Sequence, residues 1–362
     1  MTVHPVESPS IVHQAQPLNA EPAGDTLRQS FLTPQEHFFV RTHGSIPKVD
    51  PANYRLRVTG MVQQSREFSL DELLVMAPPQ SVTATLQCAG NRRDELMAIK
   101  PMPGQVPWGR DAISTTTWRG IPLREVLQAV GIQAEAQYVA ISSLDDIQFS
   151  GEQISYGASI TLEKALSSDV LLAYEMNNEP LAPEHGFPLR IVVPGYIGAR
   201  SVKWVGEIRL QDQPSTNPYQ MLDYKLFPPD ITAETADWNN GKVIEDLILN
   251  TVINTPQENQ TLPAGPTRIQ GYAIATDENP VQRVELSVDG GKSWIAANIV
   301  ERADPYAWCF WETTVTLSPG DHQLIARAWD IADQTQPEYP EHIWNFRGYM
   351  NNAWHRVNIH LA

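Results

Sequence analysis

The sequence predicts an α+β protein: a mixed α/β domain over about residues 31–240, then an immunoglobulin-like β-sandwich over 241–362, with a flexible arm over 1–30 ahead of both. Three observations predict it. At 362 residues the chain is longer than one average domain and long enough for two cores. Between residues 54 and 240, strand-like alternation and short capped helices take turns. From residue 241 the character changes to β-rich runs at 246–255, 268–276, 281–288, 294–299, 308–317 and 322–330, divided by Pro, Gly and Asp. Short strands at that spacing are the signature of a sandwich.

The elements follow in chain order. Residues 1–30 are rich in Pro, Ser, Gln, Glu and Ala without periodicity, so they are expected to lie loosely on the surface. FFVRTHG at 38–44 reads as a strand, and residues 54–62 alternate like a second. SLDELL at 69–74 opens on an N-cap serine and predicts a short helix. In SVTATLQCAGNRR, residues 81–93, Val82, Ala84 and Leu86 alternate with Thr83, Thr85 and Gln87, and Ala89-Gly90-Asn91 stops the strand. Cys88 therefore sits at the mouth of a sheet, followed by Arg92 and Arg93. A lone cysteine there is most often a small buried hydrophobe, whereas a thiolate beside guanidinium groups suits a nucleophile or a soft metal ligand.

KPMPGQVPW at 100–108 is a proline-punctuated connection. Residues 117–131 predict a turn, then a helix with apolar Leu123, Val126, Leu127 and Val130, stopped by Gly131. A strand at 138–142 leads to Leu144-Asp145-Asp146, YGASI at 156–160 and a helix at 162–166. Between 185 and 204, His185, Arg190, Arg200 and Lys203 accompany three glycines. That composition fits either a phosphate-cradling loop or a solvated basic one. It contains neither GxxxxGK[ST] nor GxGxxG, so it is neither a P-loop nor a Rossmann turn. In the second unit, Asp289-Gly290-Gly291 is a hairpin signal, and Cys309 falls inside a strand as packing.

Composition limits the function classes. Lysine and arginine number 26 against 42 acidic residues, a formal charge of -16, which disfavours nucleic acid and favours a basic protein partner. Two cysteines are too few for a disulfide scaffold or a structural zinc site. No window has the roughly 18 apolar residues of a membrane span. The N-terminus lacks a basic then apolar signal pattern, so the chain reads as cytoplasmic, or as periplasmic if an export signal has been removed.

CAGNRR at 88–93 resembles the molybdenum-binding motif of the sulfite oxidase family, and the resemblance continues over roughly residues 31–362. It implies a molybdopterin cofactor whose molybdenum takes Cys88 as its protein ligand. FFVRTH is similar to the family's FF-x-R-x-H segment, giving Phe39 and His43 pterin contacts and Arg41 a place at the substrate oxyanion; Thr42 replaces the usual asparagine. By the same resemblance Asp145, His185, Arg190, Ser201, Val202 and Lys203 hold the pterin and its terminal phosphate. Arg41, Arg93, Trp108, Tyr224 and Arg347 form the substrate pocket, with Trp108 on a loop one residue longer than usual. Tyr224 and Arg347 distinguish sulfite oxidases from nitrate reductases, which carry methionine in place of such an arginine.

The implied activity is oxidation of sulfite to sulfate by oxygen-atom transfer, in a homodimer joined through residues 241–362, haem-free and passing electrons to an external acceptor such as a basic cytochrome. The rival readings are a nitrate reductase-like or other molybdenum oxidoreductase and, in another class, a non-catalytic cofactor carrier or binding module.

Overall fold

In the computed structural model, which describes residues 10–303 and 305–362, the first unit is built on two five-stranded β-sheet assemblies. One sheet runs Gly157–Thr161, Tyr138–Ser143, Val205–Gln211, Arg55–Gly60 and Arg66–Ser69, with only the Val205–Gln211 and Arg55–Gly60 pair parallel. The other runs Glu179–Pro180, Leu171–Met176, Ile113–Pro122 and Gln80–Gln87, and Arg190–Val192 also pairs with Leu171–Met176. Gln80–Gln87 is the expected strand, and it delivers Cys88 at its end. Its inward residues Val82, Ala84 and Leu86 are buried, as period-two alternation requires.

Local signals set the helices. Ser69 caps Leu70–Leu74 through a reciprocal capping box with Glu72. Leu123–Val130 buries Leu123, Val126, Leu127 and Val130 on one face and ends at Gly131. Among the described residues no helix is long and apolar enough to cross a membrane.

The second unit is the expected sandwich. Its strands follow the order Asn250–Thr255, Gly265–Ile274, Cys309–Leu317, Ile295–Arg302, Val281–Ser287, Gly320–Asp330, His355–Leu361 and Gln260–Leu262. The ribbon folds over at Ile295–Arg302, so Asn250–Thr255 packs face to face on Gly320–Asp330 and His355–Leu361. Ile253, Ile269, Val284, Trp311, Leu324 and Val357 fill the space between the layers. Cys309 is buried there as packing, and both cysteines are free thiols. The hairpin signal holds: Asp289 Oδ1 accepts from the Lys292 and Ser293 amides, and Gly290 and Gly291 take positive φ.

The expected loose arm is corrected for residues 10–30; residues 1–9 lie outside the described residues. Ser10–Gln14 and Asn19–Pro22 pair and form a three-stranded sheet with Val40–Arg41. Asn19, Glu21 and Leu27 are buried. Hydrogen bonds by polar side chains hold this segment in place, and hydrophobic periodicity cannot register those.

Arg92 is a second correction. Its backbone is left-handed, with φ 64°, which turns the side chain away from Cys88. The fully buried guanidinium forks onto Glu95 at 2.7 and 2.8 Å and donates at 2.8 Å to Asn250 Oδ1 and the Ala353 carbonyl. It therefore fastens the cysteine turn to the sandwich. The hydrophobic core of the first unit likewise continues into Tyr272, Trp308 and Phe310 of the second.

Candidate active site

A cavity opens where Gln80–Gln87 ends. About 670 Å³ of space lies between its walls, mouth included, a size typical of small-molecule sites. The expected residues Phe39, Arg41, His43, Cys88, Asp145, His185, Arg190, Ser201, Val202, Lys203 and Tyr224 all line it. They come from six separate chain segments, and the two sheets hold those segments at fixed spacing.

Cys88 is 6 % exposed, and its Sγ accepts a hydrogen bond from the Gly90 amide at 3.4 Å. At Gly90 the lack of a Cβ lets the Arg93 guanidinium fold against the turn, and a side chain there would displace it. On one side of the thiol, Phe38 and Phe39 stack at 5.4 Å. The His43 ring stacks at 4.7 Å on Tyr156, and its Nε2 meets the Tyr224 hydroxyl at 3.1 Å. Burial holds His43 well below the usual imidazole range, with Arg41 and Lys203 adding to the effect, so the ring is neutral.

On the far side the wall is cationic. Arg190 donates to the His185 and Ser201 carbonyls at 2.9 and 3.0 Å, and its Nε has no partner among the described residues. Burial lowers its pKa to about 9. The Lys203 ammonium reaches only the Glu184 carbonyl, at 2.8 Å, and lies 4.5 Å from the centre of the Trp204 ring. Burial, then Arg190, drives it well below the usual lysine range. His185 Nε2–H donates to the Gln35 carbonyl at 2.9 Å, and burial with the two cations depresses its pKa to about 3. Asp145, the acid in the wall, accepts from the Tyr156 amide at 2.8 Å and is raised by burial. Arg190 and Lys203 outnumber the one acid, Asp145, in this wall, so it forms an anion site where a dianion would restore the electrostatic balance. Arg200 is not part of it: its guanidinium is buried against Gln220 and the Ile244 carbonyl.

Three residues expected in the substrate pocket, Arg93, Trp108 and Arg347, do not line this cavity. Arg93 donates to the Arg347 and Val106 carbonyls at 3.0 and 2.8 Å and lies 5.2 Å from the Tyr349 ring centre. Trp108 is fully buried beside Cys88 in one hydrophobic cluster, and its Nε1 has no partner. Arg347 pairs with Asp223 at 2.8 Å and lies over Trp238, lining a neighbouring cleft with Met102 and Phe346. Tyr349 stacks on Tyr224 at 5.4 Å and links the two groups.

Sequence reasoning missed Tyr156, which lies within YGASI, Asp223, which precedes Tyr224, and Tyr349, two residues after Arg347; none carries a motif of its own. It also missed Asn19, whose segment looks featureless. Among the described residues no cluster of three or more His, Cys, Asp or Glu could hold a metal ion. One thiol facing buried cations suits a metal delivered within an anionic organic ligand.

Comparison with known proteins gives the same picture. Residues 43–219 match the oxidoreductase molybdopterin binding domain, and residues 241–362 the Mo-co oxidoreductase dimerisation domain. Sulfite oxidase of Gallus gallus is 40% identical over 95% of this chain and 76% of its own length. Sulfite oxidase of Arabidopsis thaliana is 38% identical over 99% of this chain and 96% of its own. The sulfane dehydrogenase SoxCD from Paracoccus pantotrophus superposes with a TM-score of 0.77 at 26% identity, covering 92% of this chain and 84% of that one. The continuous match across both units, with a cysteine and an anion cradle in one cavity, means that the chain belongs to the sulfite oxidase family of molybdopterin-dependent oxidoreductases.

Proposed function

We propose that this protein oxidises sulfite to sulfate at a molybdopterin-bound molybdenum ligated by Cys88, and releases the electrons to a separate acceptor. The observation that carries this reading is the convergence of Cys88, Arg41 and the unbalanced cations Arg190 and Lys203 on one cavity. The residues fit the cofactor. Its terminal phosphate matches the Arg190 and Lys203 wall, where Arg190 Nε lacks a partner, and its ring system matches the aromatic flank of Phe39, His43 and Tyr156. When bound, the molybdenum centre supplies two-electron redox chemistry coupled to oxygen-atom transfer.

The chain supplies the rest. Arg41 faces the cavity and offers charge-assisted hydrogen bonds to an oxyanion. Burial works against its charge, but Tyr224 and Cys88 outweigh that, so the guanidinium stays above its ordinary range. Tyr224, held by His43 and by Tyr349, keeps its proton because burial raises it well above the usual phenol range. It is therefore a donor throughout the neutral range. Arg93, Trp108 and Arg347 back this pocket and fix its shape.

A nitrate substrate is the weaker reading, because Tyr224 and Arg347 together favour a dianion over a monoanion of diffuse charge. Arg347→Met tests this. Apparent KM for sulfite should rise by up to about tenfold, because Arg347 pairs with Asp223 beside Tyr224 and acts on the pocket through that contact, with molybdenum content unchanged. An unaltered KM in a metal-replete variant contradicts the assignment. The acceptor is proposed to be a basic electron carrier such as a cytochrome, drawn by the -16 net charge. Its association rate should fall steeply as ionic strength rises.

A further inference from the structure

The N-terminal hairpin lies outside every motif and outside the matched molybdopterin-binding region, yet one of its residues reaches the cavity wall. Asn19 is fully buried and uses all of its hydrogen-bonding capacity. Its Nδ2 donates to Gln14 Oε1 and the Pro17 carbonyl, both at 3.0 Å, which closes the hairpin. Its Oδ1 accepts from Arg41 Nη1 at 3.0 Å and from the Thr42 amide at 3.2 Å. Two donors on one side and two acceptor contacts on the other leave the amide a single orientation.

The consequence for Arg41 follows from counting protons. A guanidinium carries five N–H groups. The two on Nη1 are taken by Asn19 Oδ1 and the Thr42 carbonyl, the latter at 2.6 Å. Among the described residues nothing accepts from Nε or Nη2, and Arg41 lines the cavity. An Nε–Nη2 edge is the side-on fork that binds two oxygens of one oxyanion.

Glu21 anchors the same strand face two residues on. Its buried carboxylate accepts from the Gly109 amide at 2.8 Å, the Asp111 amide at 3.1 Å and His13 Nε2 at 2.7 Å. It thereby ties the hairpin to the loop that follows Trp108.

We infer that Asn19 is a positioning residue for sulfite oxidation: it clamps Nη1 of Arg41 so that the Nε–Nη2 edge is presented to the substrate oxyanion. This rests on the reading of the cavity as a sulfite site. It assigns a substrate-orienting role to the hairpin, which neither the motifs nor the matched domains include.

The test is a double-mutant cycle on the metal-replete full chain, with Asn19→Ala and Arg41→Gln singly and together. Three quantities are measured: molybdenum content, KM and kcat for sulfite, and the sulfate Kd by calorimetry, which needs no turnover. Asn19→Ala is expected to raise KM and the sulfate Kd about tenfold, keep kcat within about twofold and keep its molybdenum, because one orienting hydrogen bond to a charged group is lost. In the Arg41→Gln background the same change should have no further effect.

Additive losses in the double variant would make Asn19 merely structural and overturn the inference. So would parent-like kinetics in Asn19→Ala alongside an impaired Arg41→Gln. A parent-like Arg41→Gln would instead remove the premise, by taking Arg41 out of the substrate site. Asn19→Ser, which keeps a short hydrogen-bonding side chain, repeats the cycle if the alanine variant does not fold. If neither retains metal and melting temperature, Asn19 is a folding residue and the inference fails.

Discussion

Lys203 carries an electrostatic cost, since burial drives it well below the usual lysine range. Its amino group is buried beside Arg190, bonded to a carbonyl and set against an indole face, and the opposing charge of Asp145 is outweighed by burial and Arg190. Desolvating that amino group destabilises the cofactor-free chain, so an apolar residue of similar volume removes a cost rather than a bond. Lys203→Met should therefore leave the urea stability of cofactor-free protein unchanged or raised by up to about 3 kcal/mol, while molybdenum content after reconstitution collapses. A variant that loses both would show Lys203 to be a folding residue.

His185 gives a pH signature of definite sign. Its pKa falls from 6.5 to about 3 on folding. Between those values the unfolded chain binds a proton and the folded chain does not, so stability is lost as pH falls through this window. At pH 4 the linkage amounts to about 3 kcal/mol. His185→Asn should lose that much less stability than the parent between pH 7 and 4, by urea titration of cofactor-free protein. Asp111, raised to about 7 by burial, works in the opposite direction in both proteins, so it cancels in the comparison.

At this scale the sequence was informative about identity and silent about direction. Cys88, Arg190 and Lys203 were legible from residue type and context. Arg92 and Arg93 were not separable, because a left-handed φ at Arg92 sends its side chain to the sandwich and leaves Arg93 near the thiol.

Among the elements, the cysteine turn depends on the Arg92 staple. Its guanidinium is fully buried and bonds Glu95, Asn250 and Ala353 in a planar fork that lysine does not reproduce. Arg92→Met should cost about 1–3 kcal/mol, because the Ala353 carbonyl loses its guanidinium donor and Glu95 and the Asn250 oxygen keep only the longer bonds from Asn351 and Gln336. Arg92→Lys should recover only part of that loss in the same denaturation assay. The helices Leu70–Leu74 and Leu123–Val130 were legible because caps and periodicity are local properties. The strands Ser10–Gln14 and Asn19–Pro22 were not. They are held by the bonds of Asn19 and Glu21 to residues 20 to 90 positions away, and no local pattern encodes such partners.

Taken as a whole molecule, the two units are joined by more than a linker. Tyr272 of the sandwich donates to the Arg110 carbonyl at 2.7 Å and accepts from Asn91, Trp308 donates to the Phe31 carbonyl, and the first core runs on through both aromatic residues. The division into two units was legible from the change in strand density near residue 241. Their fusion was not, because it depends on which faces of the sandwich strands point outward. The dimerisation match places self-association in residues 241–362, and light scattering of purified protein should give twice the 40.5 kDa chain mass.

The central claim is that Cys88 is the protein ligand of a working molybdenum centre. It is tested most directly by metal analysis together with sulfite-dependent ferricyanide reduction in the parent, Cys88→Ser and Cys309→Ser. The account predicts about one molybdenum per parent chain, activity abolished in Cys88→Ser, and parent-like activity in Cys309→Ser, whose thiol only packs in the sandwich core. Sulfite oxidation surviving in a folded Cys88→Ser protein, or a parent chain reconstituted with cofactor that holds no molybdenum, would contradict it.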